Sequence, residues 1–138
     1  KICFTSDIPK ELLSYEILKI ILQPLVENSI RHGFGLDNSS SYLDVPSIKI
    51  EVYRDDPWLY LRVIDNGSGI DIERATQILH TGTDGQKHVG LNNVYQRLVF
   101  FYGETVKITF SSIPYYENIV QIRIPFIYPI SDFEEEHH

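Results

Sequence analysis

Between Leu22 and Gly33 the chain reads Leu-Gln-Pro-Leu-Val-Glu-Asn-Ser-Ile-Arg-His-Gly. An apolar helical pattern there takes on Glu27, Asn28, Arg31 and His32 in quick succession. A helix buried in a core has no need of that cluster, whereas a helix holding a metal ion and a polyphosphate does. The side-chain oxygen of Asn28 is a hard, neutral ligand of the kind Mg²⁺ takes beside phosphate oxygens and water. Glu27 can orient a metal-bound water or accept a proton, and Arg31 and His32 can reach phosphates or a ribose. His32 follows Asn28 by four residues, which predicts a shared helical face. The same residues also fit an exposed Glu27–Arg31 ion pair, worth roughly 0.2–0.5 kcal/mol, flanked by a solvated Asn and His.

Two glycine-bearing segments lie further along, Asp65-Asn66-Gly67-Ser68-Gly69-Ile70 and Gly85-Gln86-Lys87-His88-Val89-Gly90-Leu91. A carboxylate at Asp65, where a strand meets a sharp turn, can accept a hydrogen bond from an exocyclic amine, the group that tells adenine from guanine. Gly67 and Gly69 let backbone approach a base without a Cβ in the way. A plain Asp-Asn-Gly turn between strand and helix is the competing reading. Gly90 opens a helix, and a helix N-terminus offers unpaired amides and a positive dipole end to an anion. Lys87 and His88 add donors just before it. A loop capped into a helix would use the same residues, and Asn92 and Asn93 suit either a phosphate or a solvated first turn. In this order, the three segments together point to an ATP site.

The elements that must position these residues are set by periodicity. Residues 1–5 alternate as a short strand. Ile17, Ile20, Ile21, Leu25 and Ile30 predict an amphipathic helix, which Pro24 either kinks or restarts and Gly33 ends. Residues 34–46 read as a loop with its tip at Asp37–Ser41. Strands over 47–54 and 58–65 form a hairpin around Asp55-Asp56-Pro57. Ile48, Ile50 and Val52 supply the apolar face of one strand, and Leu59, Leu61 and Val63 that of the other. A short helix over 71–79 and an aperiodic loop over 80–89 come next. A helix over 91–102 carries Leu91, Val94, Tyr95, Leu98 and Phe101 on one side and stops at Gly103. A second hairpin pairs 106–111 with 119–126. This order gives an α+β fold, a two-layer sandwich whose mostly antiparallel mixed sheet is covered on one face by helices.

The bulk composition narrows the function classes. The 138 residues are 43% hydrophobic and 22% charged, enough for one domain with a core. A net charge of −7 disfavours a nucleic-acid binder, but a few local cations and Mg²⁺ can still hold an anionic nucleotide. Cys3 is the sole cysteine, which excludes an internal disulfide and suits a reducing compartment. No apolar run reaches the ~20 residues of a membrane span. The start at Lys1 and the absence of Met read as a piece of a longer protein. Residues 1–130 are expected to form the domain, and 131–138 a disordered tail ending in a tag remnant.

In order and spacing, the three segments resemble the sequence boxes of sensor histidine kinases of the LytS/YesM-like branch. Gln23-Pro24-Leu25-Val26-Glu27-Asn28-Ser29-Ile30-Arg31-His32-Gly33 resembles the asparagine box, and Asp65–Ile70 the first glycine box. Val89–Leu98 resembles the second glycine box with its helix. Tyr102-Gly103-Glu104 and Ile122-Arg123-Ile124-Pro125 resemble the helix end and the last strand of that family. The resemblance spans residues 1–127 and implies the Bergerat ATP-binding fold shared with gyrase B, ninety-kilodalton heat-shock chaperones and mismatch-repair ATPases. It implies that Asn28 binds Mg²⁺, with Glu27 beside it as a catalytic helper. Asp65 would take the adenine amine, and Gly67, Gly69 and Ile70 would shape the base pocket. Arg31, His32 and Lys87 would lie beside the phosphates and nucleoside, and residues 80–89 would be the ATP lid. Gly90 and Leu91 would offer amides to the phosphates, with Asn92 next to them. The second glycine box departs from Gly-x-Gly: His88 holds its first position, which bears on the strength of ATP binding.

The resemblance further implies a domain that presents Mg-ATP to a histidine on a separate dimerisation domain. None of the five histidines lies in a phosphoacceptor motif, so the isolated chain is not expected to autophosphorylate. The implied partners are the phosphoacceptor dimerisation domain and a downstream response regulator. The parent is expected to be a membrane-anchored homodimer with this domain in the cytoplasm. Two readings compete. A hydrolytic ATPase of the same fold needs a Glu one turn before Asn28, where this chain has Pro24. A nucleotide-sensing interaction module draws its support from His88.

Overall fold

Alternation in the two hairpins and the helical repeats between them produce the elements seen in the computed structural model, which describes residues 2–13, 16–34, 45–81 and 89–126. In chain order these are β1 (Cys3–Asp7), α1 (Glu16–Asn28), β2 (Ser47–Asp55), β3 (Trp58–Asp65), α2 (Ile72–Thr81), α3 (Val89–Tyr102), β4 (Lys107–Ile113) and β5 (Glu117–Pro125). They form a five-stranded sheet of order β1-β2-β3-β5-β4. β1 runs parallel to β2, and every other pairing is antiparallel. The α+β sandwich is therefore the architecture expected. The Asp37–Ser41 loop tip, residues 82–88 and the 131–138 tail lie outside the described residues.

One face of the sheet is apolar because alternate residues of three adjacent strands point the same way. Ile48 and Val52 from β2, Leu59, Leu61 and Val63 from β3, and Val120, Ile122 and Ile124 from β5 are all buried. The helices cover that face with Leu18, Ile21 and Leu25 from α1 and Leu91, Val94 and Leu98 from α3. Truncating a fully buried member such as Leu25 to Ala would cost about 2–5 kcal/mol. The other face is polar and aromatic: Arg62 bridges to Glu51 at 3.2 Å, Tyr53 stacks on Tyr60, and the Arg123 guanidinium lies over Trp58.

The helices depart from the expectation at Ile20, Ile30, Gly33 and Phe101, and Ile30, placed in the apolar stripe by its spacing, is exposed. Ile20 is exposed, and Leu18 takes its core position. Buried Leu18, Ile21 and Leu25 follow an i, i+3, i+7 pattern, which fits one stripe better than the pattern that included Ile20. α1 passes through Pro24 without restarting, and Gly33 does not end the helix: α1 gives way to a π-helix over Ser29–Phe34 that contains it. Phe101 does not join the buried side of α3 but is 67% exposed.

Two helix ends form as their residues dictate. Asp71 caps α2, its Oδ1 accepting the Arg74 N–H at 3.2 Å. Gly103 ends α3 at φ +71°, a conformation that favours glycine. Among the described residues, no helix is long and apolar enough to cross a membrane.

Candidate functional site

The inward alternation of β3, Leu59-Leu61-Val63, ends on a carboxylate. Asp65 therefore faces the core side and is buried. Its lateral partner on β5 is Asn118, whose own partner on β4 is Ser112. The three form one polar row across the sheet, adjacent to the apolar row of Val63, Val120 and Phe110. Asn118 Nδ2 donates to Asp65 Oδ1 at 3.1 Å and to the Gly67 carbonyl at 3.0 Å. Asp65 Oδ1 also accepts the Gly67 N–H at 2.9 Å. Ser112 Oγ donates to Asn118 Oδ1 at 2.6 Å and accepts the Ile70 N–H at 2.9 Å. Each end of the glycine turn is thus tied to the sheet.

The tip of the β4–β5 hairpin braces that turn from outside. The Tyr115 N–H donates to the Gly67 carbonyl at 2.7 Å. Gly69 has φ +115°, and a Cβ added there would sit 3.0 Å from Pro114 Cγ. Glycine is required at 69 on both grounds. Asn66 anchors the turn to the start of β2, accepting the Ser47 N–H at 2.8 Å and donating to the Val45 carbonyl at 2.9 Å.

A cavity of about 240 Å³ opens beside this turn. Its apolar walls are Ile70, Ile78, Leu79, Leu91, Phe110 and Val120, and Asn28, Asp71 and Arg74 bring polar groups to it. That volume falls below the roughly 300–1,000 Å³ of pockets enclosing a whole ligand, so it suits one ring system with the rest of the molecule outside. Asp65 is not among its lining residues but belongs to the neighbouring row.

The structure brings Asn28, Gly69, Ile70 and Leu91 together around this cavity. Asn28 is the last residue of α1, where the α-helix gives way to the π-helix. The 3.6-residue spacing of α1 therefore stops at Asn28, and the backbone wound with five-residue hydrogen-bond spacing begins at Ser29. Glu27 and Arg31 are exposed, and the ion pairs of the described residues do not join them. The backbone of His32 lies in the π segment, and Lys87 falls outside the described residues. Gly90 is exposed in the first turn of α3, and an added Cβ there would meet nothing within 4 Å.

Asn92 is engaged within the protein through its amide nitrogen. It is buried, and its Nδ2 donates to the Leu79 carbonyl at 2.7 Å and the Ile78 carbonyl at 3.4 Å. It satisfies carbonyls in the last turn of α2 and locks α2 to α3. Asn118 and Ser112 were not among the residues expected from sequence. Their signal was present, since each is a polar residue in the inward phase of an otherwise apolar alternation, Asn118 with Val120, Ile122 and Ile124.

A polar row thus stands beside an apolar slot lined also by Asn28 from the end of α1 and Leu91 from the first turn of α3. Residues 14–127 match the family of histidine kinase-, DNA gyrase B- and HSP90-like ATPases. The chain belongs to that family. The sensor protein LytS of Oceanobacillus iheyensis is 36% identical over 98 residues, covering 67% of this chain and 16% of that protein. LytS of Bacillus subtilis is 29% identical over 121 residues, covering 86% of this chain and 20% of its own. The chain thus spans about a fifth or less of these two relatives. Among solved structures, the nucleotide-free catalytic domain of the histidine kinase ThkA superposes with a TM-score of 0.66 at 21% identity, over 90% of this chain and 80% of that one. The Acinetobacter baumannii histidine kinase AdeS superposes at 0.61 and 19% identity, over 93% of this chain and 56% of that one. The chain is an ATP-binding domain of that family, with the fold of histidine kinase catalytic domains.

Proposed function

We propose that this domain holds Mg-ATP and presents its terminal phosphate to a histidine on the dimerisation domain of the same kinase. A response regulator would receive the phosphoryl group in turn. The parent protein would be a membrane-anchored homodimer, with residues 1–130 as a cytoplasmic catalytic domain. The observation that carries this reading is the Asp65–Asn118–Ser112 row beside the cavity. Asn118 and the Gly67 amide both address Oδ1 of Asp65, which leaves Oδ2 to accept an exocyclic amine. Ile70 and Gly69 shape the slot for the base.

Asn28 has the donor chemistry to ligate Mg²⁺ at the mouth of the same cavity, and the bound metal would spread charge over the phosphates. Gly90 and Leu91 turn first-turn amides toward them. Arg31, His32 and Lys87 would add positive charge, and Glu27 would act on a proton or water next to Asn28. Pro24 supports transfer to a histidine over hydrolysis. It lies inside α1 one turn before Asn28, where a hydrolase of this fold would carry its base.

Titration of the chain with ATP and GTP, for the unaltered protein and for Asp65→Asn, tests the reading. The substitution replaces an acceptor with a donor at one oxygen. ATP affinity should fall roughly 10- to 100-fold while GTP changes little. An unaltered ATP/GTP preference would sink the assignment.

A further inference from the structure

A second cavity, of about 470 Å³, opens between the last turn of α2, the second half of α3 and the turn that follows α3. Leu79, Tyr95 and Val99 give it an apolar and aromatic wall, and His80, Gln96 and Glu104 bring polar groups. Its volume falls within the roughly 300–1,000 Å³ of sites that enclose a small molecule. The His80 and Tyr95 rings stand 5.3 Å apart between centroids at 89°, so the lining holds two aromatic surfaces at right angles. Glu104 is the one carboxylate of the described lining, and no lysine or arginine there offsets it. The cavity also lies at the C-terminal end of α2, the negative end of the helix dipole. A carboxylate, aromatic surfaces and a helix C-terminus all favour a cation with an apolar body. Leu79 joins this cavity to the nucleotide slot. It is 2% exposed and lines both, and its carbonyl accepts the Asn92 amide that ties α2 to α3. The two cavities thus share one wall, the last turn of α2.

We propose that this cavity is a regulatory site for a small organic amine, an ammonium group on an aromatic or apolar body, and that its occupation strengthens nucleotide binding. The ammonium meets the Glu104 carboxylate, and the body lies against Leu79, Tyr95 and Val99. A ligand that spans α2 and α3 fastens the turn carrying Leu79, and a slot whose wall is already held costs less to fill. By reciprocity, the nucleotide raises the affinity for the amine by the same factor. The coupling rests on the nucleotide reading above, whereas the amine site stands apart from it.

Tryptamine serves as the probe, and indole-3-propionate, with a carboxylate in place of the ammonium, as its control. Both are titrated by calorimetry into the 138-residue chain and its Glu104→Gln and Gln96→Trp variants, with and without saturating Mg-ATP. The unaltered chain should take up tryptamine and not indole-3-propionate, and saturating tryptamine should raise its ATP affinity about fivefold. Glu104→Gln should weaken tryptamine binding about tenfold. Gln96→Trp, which fills the cavity from an exposed position, should abolish it. Without tryptamine, both variants should bind ATP as the unaltered chain does. No uptake of tryptamine, equal uptake of the two indoles, or an unchanged affinity in Glu104→Gln overturns the amine site. Competition between tryptamine and ATP places the amine in the nucleotide slot and overturns it as well. Tryptamine binding that leaves ATP affinity unchanged overturns the coupling. If the chain binds tryptamine but not ATP, the nucleotide reading fails and the coupling with it, while the amine site is upheld.

Discussion

Asn118 and Asp65 are lateral partners on β5 and β3, and the amide of one holds the carboxylate of the other at 3.1 Å. The same amide nitrogen grips the Gly67 carbonyl. A single side chain, 1% exposed, thus fixes both the orientation of the acceptor and the shape of the glycine turn. Replacing Asn118 with Leu would leave a buried carboxylate oxygen and the Ser112 hydroxyl each short of a partner. Stability should fall by about 1–3 kcal/mol in a denaturant titration, and ATP affinity should fall with it. Equal stability of the variant and the unaltered chain would mean that the row does not hold the turn.

Gly69 and Gly90 should respond to alanine in opposite directions. At Gly69, φ +115° and the approach to Pro114 make any side chain strained, so Gly69→Ala should cost about 1–3 kcal/mol. At Gly90 nothing stands within 4 Å, and alanine is the better helix former by up to about 1 kcal/mol. Gly90→Ala should therefore leave the melting temperature equal or higher while weakening nucleotide binding. A loss of stability at 90, or a gain at 69, would contradict the geometry.

Asn92→Ala separates a packing role from a phosphate role. The lost amide leaves the buried Leu79 carbonyl without its 2.7 Å donor. Thermal denaturation without nucleotide should show a loss of about 1–3 kcal/mol. A variant of unchanged stability that binds ATP poorly would return Asn92 to the phosphates.

Asn28→Ala should reduce nucleotide affinity in Mg²⁺ and make little difference in excess EDTA. Isothermal titration under the two conditions reads this directly. The same loss with and without metal would mean that Asn28 contacts the nucleotide itself.

Much of this site was legible from local rules. Strand alternation placed Asp65 on the inward face, and the two glycines announced a turn after it. The helix ends at Asp71 and Gly103 follow from capping chemistry alone. Asn118 was not legible in the same way, because its meaning depends on β5 lying beside β3. That neighbour relation is set by the whole sheet order β1-β2-β3-β5-β4, not by any window of sequence. Asn92 was only half legible for a related reason. An amide one turn into a helix suits an anion or a neighbouring helix equally, and the bond to α2 emerges only when the two helices are packed. Phe101 shows the limit of a helical repeat: it stands seven residues after buried Val94, within about 20° of it on the helix, yet is exposed.

The Asn118–Asp65 bond also fixes when in the life of the chain the site can exist. Its two ends are 53 residues apart in sequence, and Ser112 and the Tyr115 amide arrive only with the last hairpin. Contacts of such separation close late in folding, after loop entropy has been overcome. A growing polypeptide still missing β5 has its helices and first hairpin encoded but no finished pocket. Nucleotide binding therefore reports completion of the fold: it can select chains whose final strand has taken its place between β3 and β4.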